Sequence, residues 1–367
     1  MPIQFRRIVF SAAVFFAGLT AAVVVSAQST PTQSLLVLSK HNHTLSIVDP
    51  ATLKAIAQAP VGPDPHEVIA STDGKTAYVS IYGGGAYHTI SVIDLIAQKA
   101  LPDIDLGVFN GPHGLDFAGG KLWFTAEGAK LIGSYDPALG KVDWVMGTGQ
   151  NRTHMIYVMP DQQKIFTTNV SSATVSILEK RELPPMGPPP GAPAGPPGGP
   201  GGPPPNGPPP PSGGGPRKDW MQTVIPVGPG SEGFDVSPDG RELWTANAQD
   251  GTISVIDVAG KRMLLTINAG VFGANRLKFT PDGKYALIAS LRDADLIVMD
   301  AGSRTQFKRV KVGTGAAGIL VQPDGARAFV ACTPDNYVAV VDLKTFEVTG
   351  HIDAGGEPDG MAWAVRK

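Results

Sequence analysis

Between Gly233 and Gly270 the chain lays down four short apolar runs, GFDVS, ELWTAN, TISVID and MLLTINAG. β-Branched and aromatic residues dominate them. The connecting stretches carry Pro238-Asp239-Gly240, Gln249-Asp250-Gly251 and Ala259-Gly260-Lys261. Proline fixes φ and glycine supplies φ > 0, so each connection reverses the chain. The pattern predicts a four-stranded antiparallel meander. One meander cannot bury both of its faces, so it needs copies of itself.

The copies are present. Val255-Ile256-Asp257-Val258 recurs as Ile47–Pro50, Val92–Leu95, Ser134–Pro137, Ile297–Asp300 and Val340–Leu343. Their aspartates recur about every 42 residues, the period of propeller blades. The interval from Asp136 to Asp257 is too long for one repeat and holds a degenerate copy, Thr174–Lys180, plus an insert. The count is seven repeats. The fold class is therefore all-β: a seven-bladed β-propeller of four-stranded antiparallel blades over residues 34–367. Leu35–Lys40 and Thr44–Asp49 read as second and third strands, and the first strand they lack is Gly360–Val365 at the other terminus. The C-terminal strand is expected to close the ring.

The second strands read YVSI (Tyr78–Ile81), WFTA (Trp123–Ala126), FTTN (Phe166–Asn169), WTAN (Trp244–Asn247) and FVAC (Phe329–Cys332). With SPDG before them and ISVID after, this pattern resembles the YVTN-type β-propeller repeat. The resemblance implies the fold more strongly than any activity. Similar propellers include binding proteins, lactonases, lyases and quinoprotein dehydrogenases, and fold does not settle function.

Outside the repeats, Arg6 and Arg7 precede a charge-free apolar run, Ile8 to Val25, and small residues at Val25-Ser26-Ala27. Residues 1–27 read as a secretory signal peptide, which predicts a periplasmic or secreted chain with no membrane attachment after cleavage. An uncleaved anchor is the alternative. Residues 182–217 are almost wholly Pro and Gly, without the glycine period of collagen. They are expected to be a disordered insert between strands three and four of blade four, either neutral or a ligand for a partner's aromatic groove. The net charge of −2 gives no pull toward nucleic acid, so no nucleic-acid partner is expected. The single cysteine, Cys332, forbids an internal disulfide and reads as a small buried residue. A monomer is expected.

In a meander blade, the loop before strand one and the loop after strand two share a face, the top. One equivalent position beside the central channel reads His66, His113, His154, Glu232, Asn275, Ala317 and Asp359. The loops after strand two add His41, His43, His88, Tyr82, Tyr87, Glu127, Asn169, Asn247 and Arg292. Six of the seven histidines thus map to one face; His351 is the exception. Three readings stay open. His66, His113, His154 and Glu232 suit a divalent transition metal. The same ring suits a polar ligand mouth without metal, with Tyr82, Tyr87, Asn169, Asn247, Asn275, Arg276, Arg292 and Asp359 as contacts. Or the histidines bond a neighbouring blade's backbone. The YGGGAYH stretch (Tyr82–His88) reads as a lid or contact loop. The Asp of each VID reads as a turn former.

The first functional expectation is a binding or scaffold protein that takes a small molecule or protein partner at its top face. The rival is a metal-dependent lactonase, lyase or hydrolase-like enzyme, with His88 or Glu127 as acid/base. No serine or cysteine nucleophile motif, phosphate loop, haem attachment motif or compact zinc motif occurs.

Overall fold

The computed structural model describes residues 28–183 and 217–367. The expected signal segment lies outside the described residues, as does the insert apart from its two ends. Among the described residues, twenty-eight strands form seven four-stranded antiparallel sheets, a seven-bladed β-propeller. Six blades take their strands in chain order. Blade one is composite: Pro358–Val365 pairs with Gln33–Ser39, from Gln33↔Val365 to Ser39↔Pro358, so the last strand closes the ring as expected.

Burial explains the runs seen in the sequence. The second strand of blade three, Lys121–Ala126, and that of blade five, Glu242–Asn247, each bury their last five residues. Such strands are covered on both sides by neighbouring blades, which is why they read as unbroken apolar runs. The outermost strands alternate instead: Lys141–Gly147 and Arg262–Asn268 bury every second residue only in part. The apolar core divides into seven clusters, one at each blade-to-blade interface. Trp123, Trp244 and Trp363 each belong to one of them. Cys332 lies in the cluster between blades six and seven, where burial pushes its thiol up to about 12.

The repeated aspartates are turn formers. Asp49, Asp94, Asp136, Asp257, Asp300 and Asp342 each accept a backbone N–H two or three residues ahead. In blade four, Thr174–Leu183 and Arg217–Pro226 pair without a break up to Leu183↔Arg217. The hairpin therefore takes in Glu182, Leu183 and Arg217, which the sequence assigns to the insert.

A second aspartate ties blades together. Asp116, in the first strand of blade three, accepts the N–H of Val158 in blade four at 2.6 Å. Asp235 does the same for Phe279 of blade six at 2.9 Å. Burial pushes the Asp116 carboxyl up from 3.8 to about 6, against its backbone hydrogen bonds. Between those values the unfolded group is ionised while the folded group is protonated, so unfolding releases a proton and stability falls as pH rises. The fall is expected to be on the order of 2 kcal/mol between pH 4 and 6, and flat above. Asp116→Asn removes the proton and keeps an acceptor. Its melting temperature should therefore lose this slope; parallel pH profiles for variant and wild type would rule the assignment out.

Candidate functional site at the channel mouth

Each inner strand breaks register just after it begins, for example between Pro65 and Val68, Pro112 and Leu115, and Thr153 and Ile156. A bulge frees a residue from the ladder and re-aims its side chain. At these breaks stand His66, His113, His154, Glu232, Asn275, Ala317 and Asp359, and all seven line one cavity of about 340 Å³. Two residues earlier, every blade enters through a left-handed residue. It is glycine in blades three, five, six and seven (Gly111, Gly230, Gly273, Gly315) but Asp64, Arg152 and Glu357 in blades two, four and one. An Arg at φ 55° is strained. Asp64 and Arg152 both send their side chains to the mouth.

The centre of the site is His154, buried between two carboxylates. Its Nδ1 donates to Glu127 Oε1 at 2.5 Å, and its Nε2 lies 3.2 Å from Glu232 Oε2. Burial opposes charge on His154, but these two hydrogen bonds outweigh it and raise its pKa. The same contacts overcome burial to lower Glu127, and to lower Glu232 to about 2. Arg152 spans both carboxylates, 3.6 Å from Glu127 and 3.4 Å from Glu232. Tyr82 donates to Glu127 Oε2 at 2.6 Å.

His113 packs at a tilt against His154 with ring centroids 3.8 Å apart, and its ring also meets those of His66 and Tyr82. Burial first, then the charge interactions with His154 and His66, hold its pKa well below the usual histidine value. His113 is 2% exposed, and its Nδ1 has no hydrogen-bond partner. The interblade bond at this point is made by Thr125, which donates to the His154 carbonyl at 2.8 Å. The glycine of the Pro-His-Gly wording has its own reason, because a Cβ on Gly114 would collide with that carbonyl.

His66 lies 3.0 Å from Asp64 and 3.0 Å from Lys40 Nζ, and Lys40 also pairs with Asp359 at 2.8 Å. Burial, then Lys40, lowers the His66 pKa. Beneath the ring, the next residues along the inner strands alternate around most of the circle. Glycine stands in blades one, three, five and seven (Gly360, Gly114, Gly233, Gly318), and Glu67, Met155 and Arg276 stand in blades two, four and six. Arg276 and Glu67 meet across the axis as a buried ion pair. They form a floor, with a smaller cavity of about 200 Å³ on the far side.

The structure therefore gathers His66, His113, His154, Glu232, Asn275, Arg276 and Asp359 around the cavity. Glu127 and Tyr82 stand directly behind the histidines. Other residues that the sequence places on this face lie apart from the cavity lining. Asn169 spends its amide on Thr174 and Ser176, and Asn247 makes the same pair with Thr252 and Ser254; both brace hairpins. His88 is half-buried and bonds Asp105, and Arg292 and Tyr87 are exposed. In the YGGGAYH loop, Gly83–Gly85 form a 3₁₀ turn that leaves Tyr82 packed on His66 and Tyr87 outside. Sequence reasoning missed Lys40, Asp64, Glu67 and Arg152. A non-glycine residue two places before the ring position was the available signal for Asp64 and Arg152.

Among the described residues, His113, Glu127 and His154 form a buried group whose ligand atoms lie within 4.8 Å of one another. This grouping differs from the four-residue set expected from the sequence. It substitutes Glu127 for Glu232 and omits His66.

No protein-family model and no curated protein matches this sequence, so the YVTN-type resemblance rests on its motifs. Solved structures do match. A protein of unknown function from Desulfotomaculum acetoxidans aligns with a TM-score of 0.68 at 13% identity, over 91% of this chain and 99% of that one. A candidate 6-phosphogluconolactonase from Bacteroides uniformis aligns with a TM-score of 0.68 at 15% identity, over 90% and 99%. The dihydro-heme d1 dehydrogenase NirN aligns at 0.58 and 15%, over 91% of this chain and 75% of that chain. At such identities the likeness shows a common fold: this chain is a β-propeller with lactonase-like structural neighbours.

Proposed function

We propose that the protein binds a small polar organic molecule in the mouth of its propeller. The observation that carries this reading is His113: a buried imidazole with an unpaired Nδ1, set among side chains that converge from every blade. A buried polar atom without a partner costs free energy unless something completes it. The cavity volume falls in the small-molecule range, and its lining offers both charge signs, with Lys40 and Arg152 the more exposed cations. The N-terminal apolar run supports placing this activity in the periplasm or outside the cell, with the chain acting as a monomer.

The test is calorimetric titration with sugar acids, lactones, dicarboxylates and phosphate esters. One saturable ligand per chain is expected, and His113→Ala should abolish its binding with a change in melting temperature of less than about 2 °C. A loss of roughly 1–2 kcal/mol in stability, with no ligand for the wild type, would make the histidine structural and end this reading.

A further inference from the structure

We propose that His113, His154 and Glu127 form a three-ligand site for a divalent transition metal of the zinc class, with its fourth position open to the cavity. The inference deepens the binding reading of the same mouth and rests on it. Two imidazoles and one carboxylate are a donor set that zinc accepts in sites retaining an open position. Two nitrogen donors disfavour magnesium and calcium, which take oxygen.

Four observations support this set. The three side chains are buried, and their donor atoms already lie within 4.8 Å of one another. His113 holds a buried ring nitrogen with no protein partner. The supporting shell of such a site is in place: the second nitrogen of His154 faces Glu232 at 3.2 Å, and the second oxygen of Glu127 accepts from Tyr82 at 2.6 Å. Metal-binding imidazoles and carboxylates are characteristically oriented in this way. Finally, Arg152 anchors both carboxylates and so fixes the shell as a unit.

The other candidates fit less well. His66 already has its Nε2 engaged by protein, with Asp64 and the Lys40 ammonium each 3.0 Å away. Glu232 stands behind His154 on the nitrogen away from Glu127. His154 Nδ1 carries the proton that it donates to Glu127 Oε1 at 2.5 Å. Metal would displace this proton to solvent, and the two atoms would spread to roughly 3.3 Å, the spacing of neighbouring ligands in a tetrahedral shell.

The test is titration of the chelator-treated mature protein with zinc and, for its visible spectrum, cobalt, without any organic ligand. The wild type should bind one equivalent, with cobalt absorption of a four-coordinate site. His113→Ala and the isosteric Glu127→Gln should each weaken binding more than about a hundredfold, and Glu232→Gln by about ten- to a hundredfold. His66→Ala should leave it within about threefold. Circular dichroism checks that each variant is folded. A folded wild type that takes up no metal overturns the proposal, as does a Glu127→Gln variant that binds like wild type. If the wild type takes no metal yet binds an organic ligand, the metal site alone is overturned and the mouth stands. If it binds neither, both readings are overturned.

Discussion

Truncation after Glu357 should abolish cooperative folding. The lost residues include Pro358–Val365, the inner strand of blade one, paired to Gln33–Ser39 along its length. Ala362 and Ala364 sit in the core between blades one and two, and Met361 and Trp363 pack on the core between blades seven and one. Removal therefore opens two interfaces and bares the edge of Gln33–Ser39, where Leu35 and Leu36 are fully buried. A domain has roughly 5–15 kcal/mol in hand, and the loss of two buried alanines, the partly buried Met361 and Trp363, and a whole ladder of backbone bonds is of that order. The truncated chain should give no sigmoidal thermal melt, and a synthetic peptide spanning residues 356–367 should restore one. A truncated chain that melts cooperatively within about 10 °C of the full chain would show that the ring does not depend on its closure.

The second large effect concerns the floor. Arg276→Met should cost about 3–5 kcal/mol, because it leaves the buried Glu67 carboxylate without its countercharge. Glu67 is already raised by burial, with Arg276 the main influence holding it down. Without Arg276, protonation rescues the folded state, so the deficit should shrink as pH falls toward 5. Adding Glu67→Met should recover most of the loss, since a buried pair replaced whole by apolar groups is often neutral. Urea unfolding of the two single variants and the double variant, as a cycle, checks this. Additive losses would show that the two groups do not depend on each other.

What the sequence could reveal followed from repetition. The apolar middle strands and the ring position recur in every blade, and the turn aspartate in six of the seven, for the same physical reason, so one blade teaches the others. Contacts that occur once could not be learned that way. Glu67 and Arg276 meet across the axis from opposite sides of the circle, and Lys40 reaches Asp359 from a different strand of the composite blade. Asn169 and Asn247 misled because their position after strand two puts them on the mouth face. The Thr-x-Ser that follows each of them, Thr174–Ser176 and Thr252–Ser254, gives their amides a local partner instead. Glu127 has no such local partner, and it is the residue of that position that joins the histidines.

Alternation of glycine and bulky residues below the ring cannot run evenly around an odd number of blades. The mismatch falls at blades seven and one, where Gly318 and Gly360 are adjacent. The bulky residues, by contrast, bring Glu67 and Arg276 together as a stopper. The pair thus stands between the mouth cavity and the smaller one beneath it. A ligand that does not displace this pair exchanges through the mouth, so the rim residues govern its dwell time. A macromolecule seated across the top face would act as a cork, halting exchange without touching a single residue of the site.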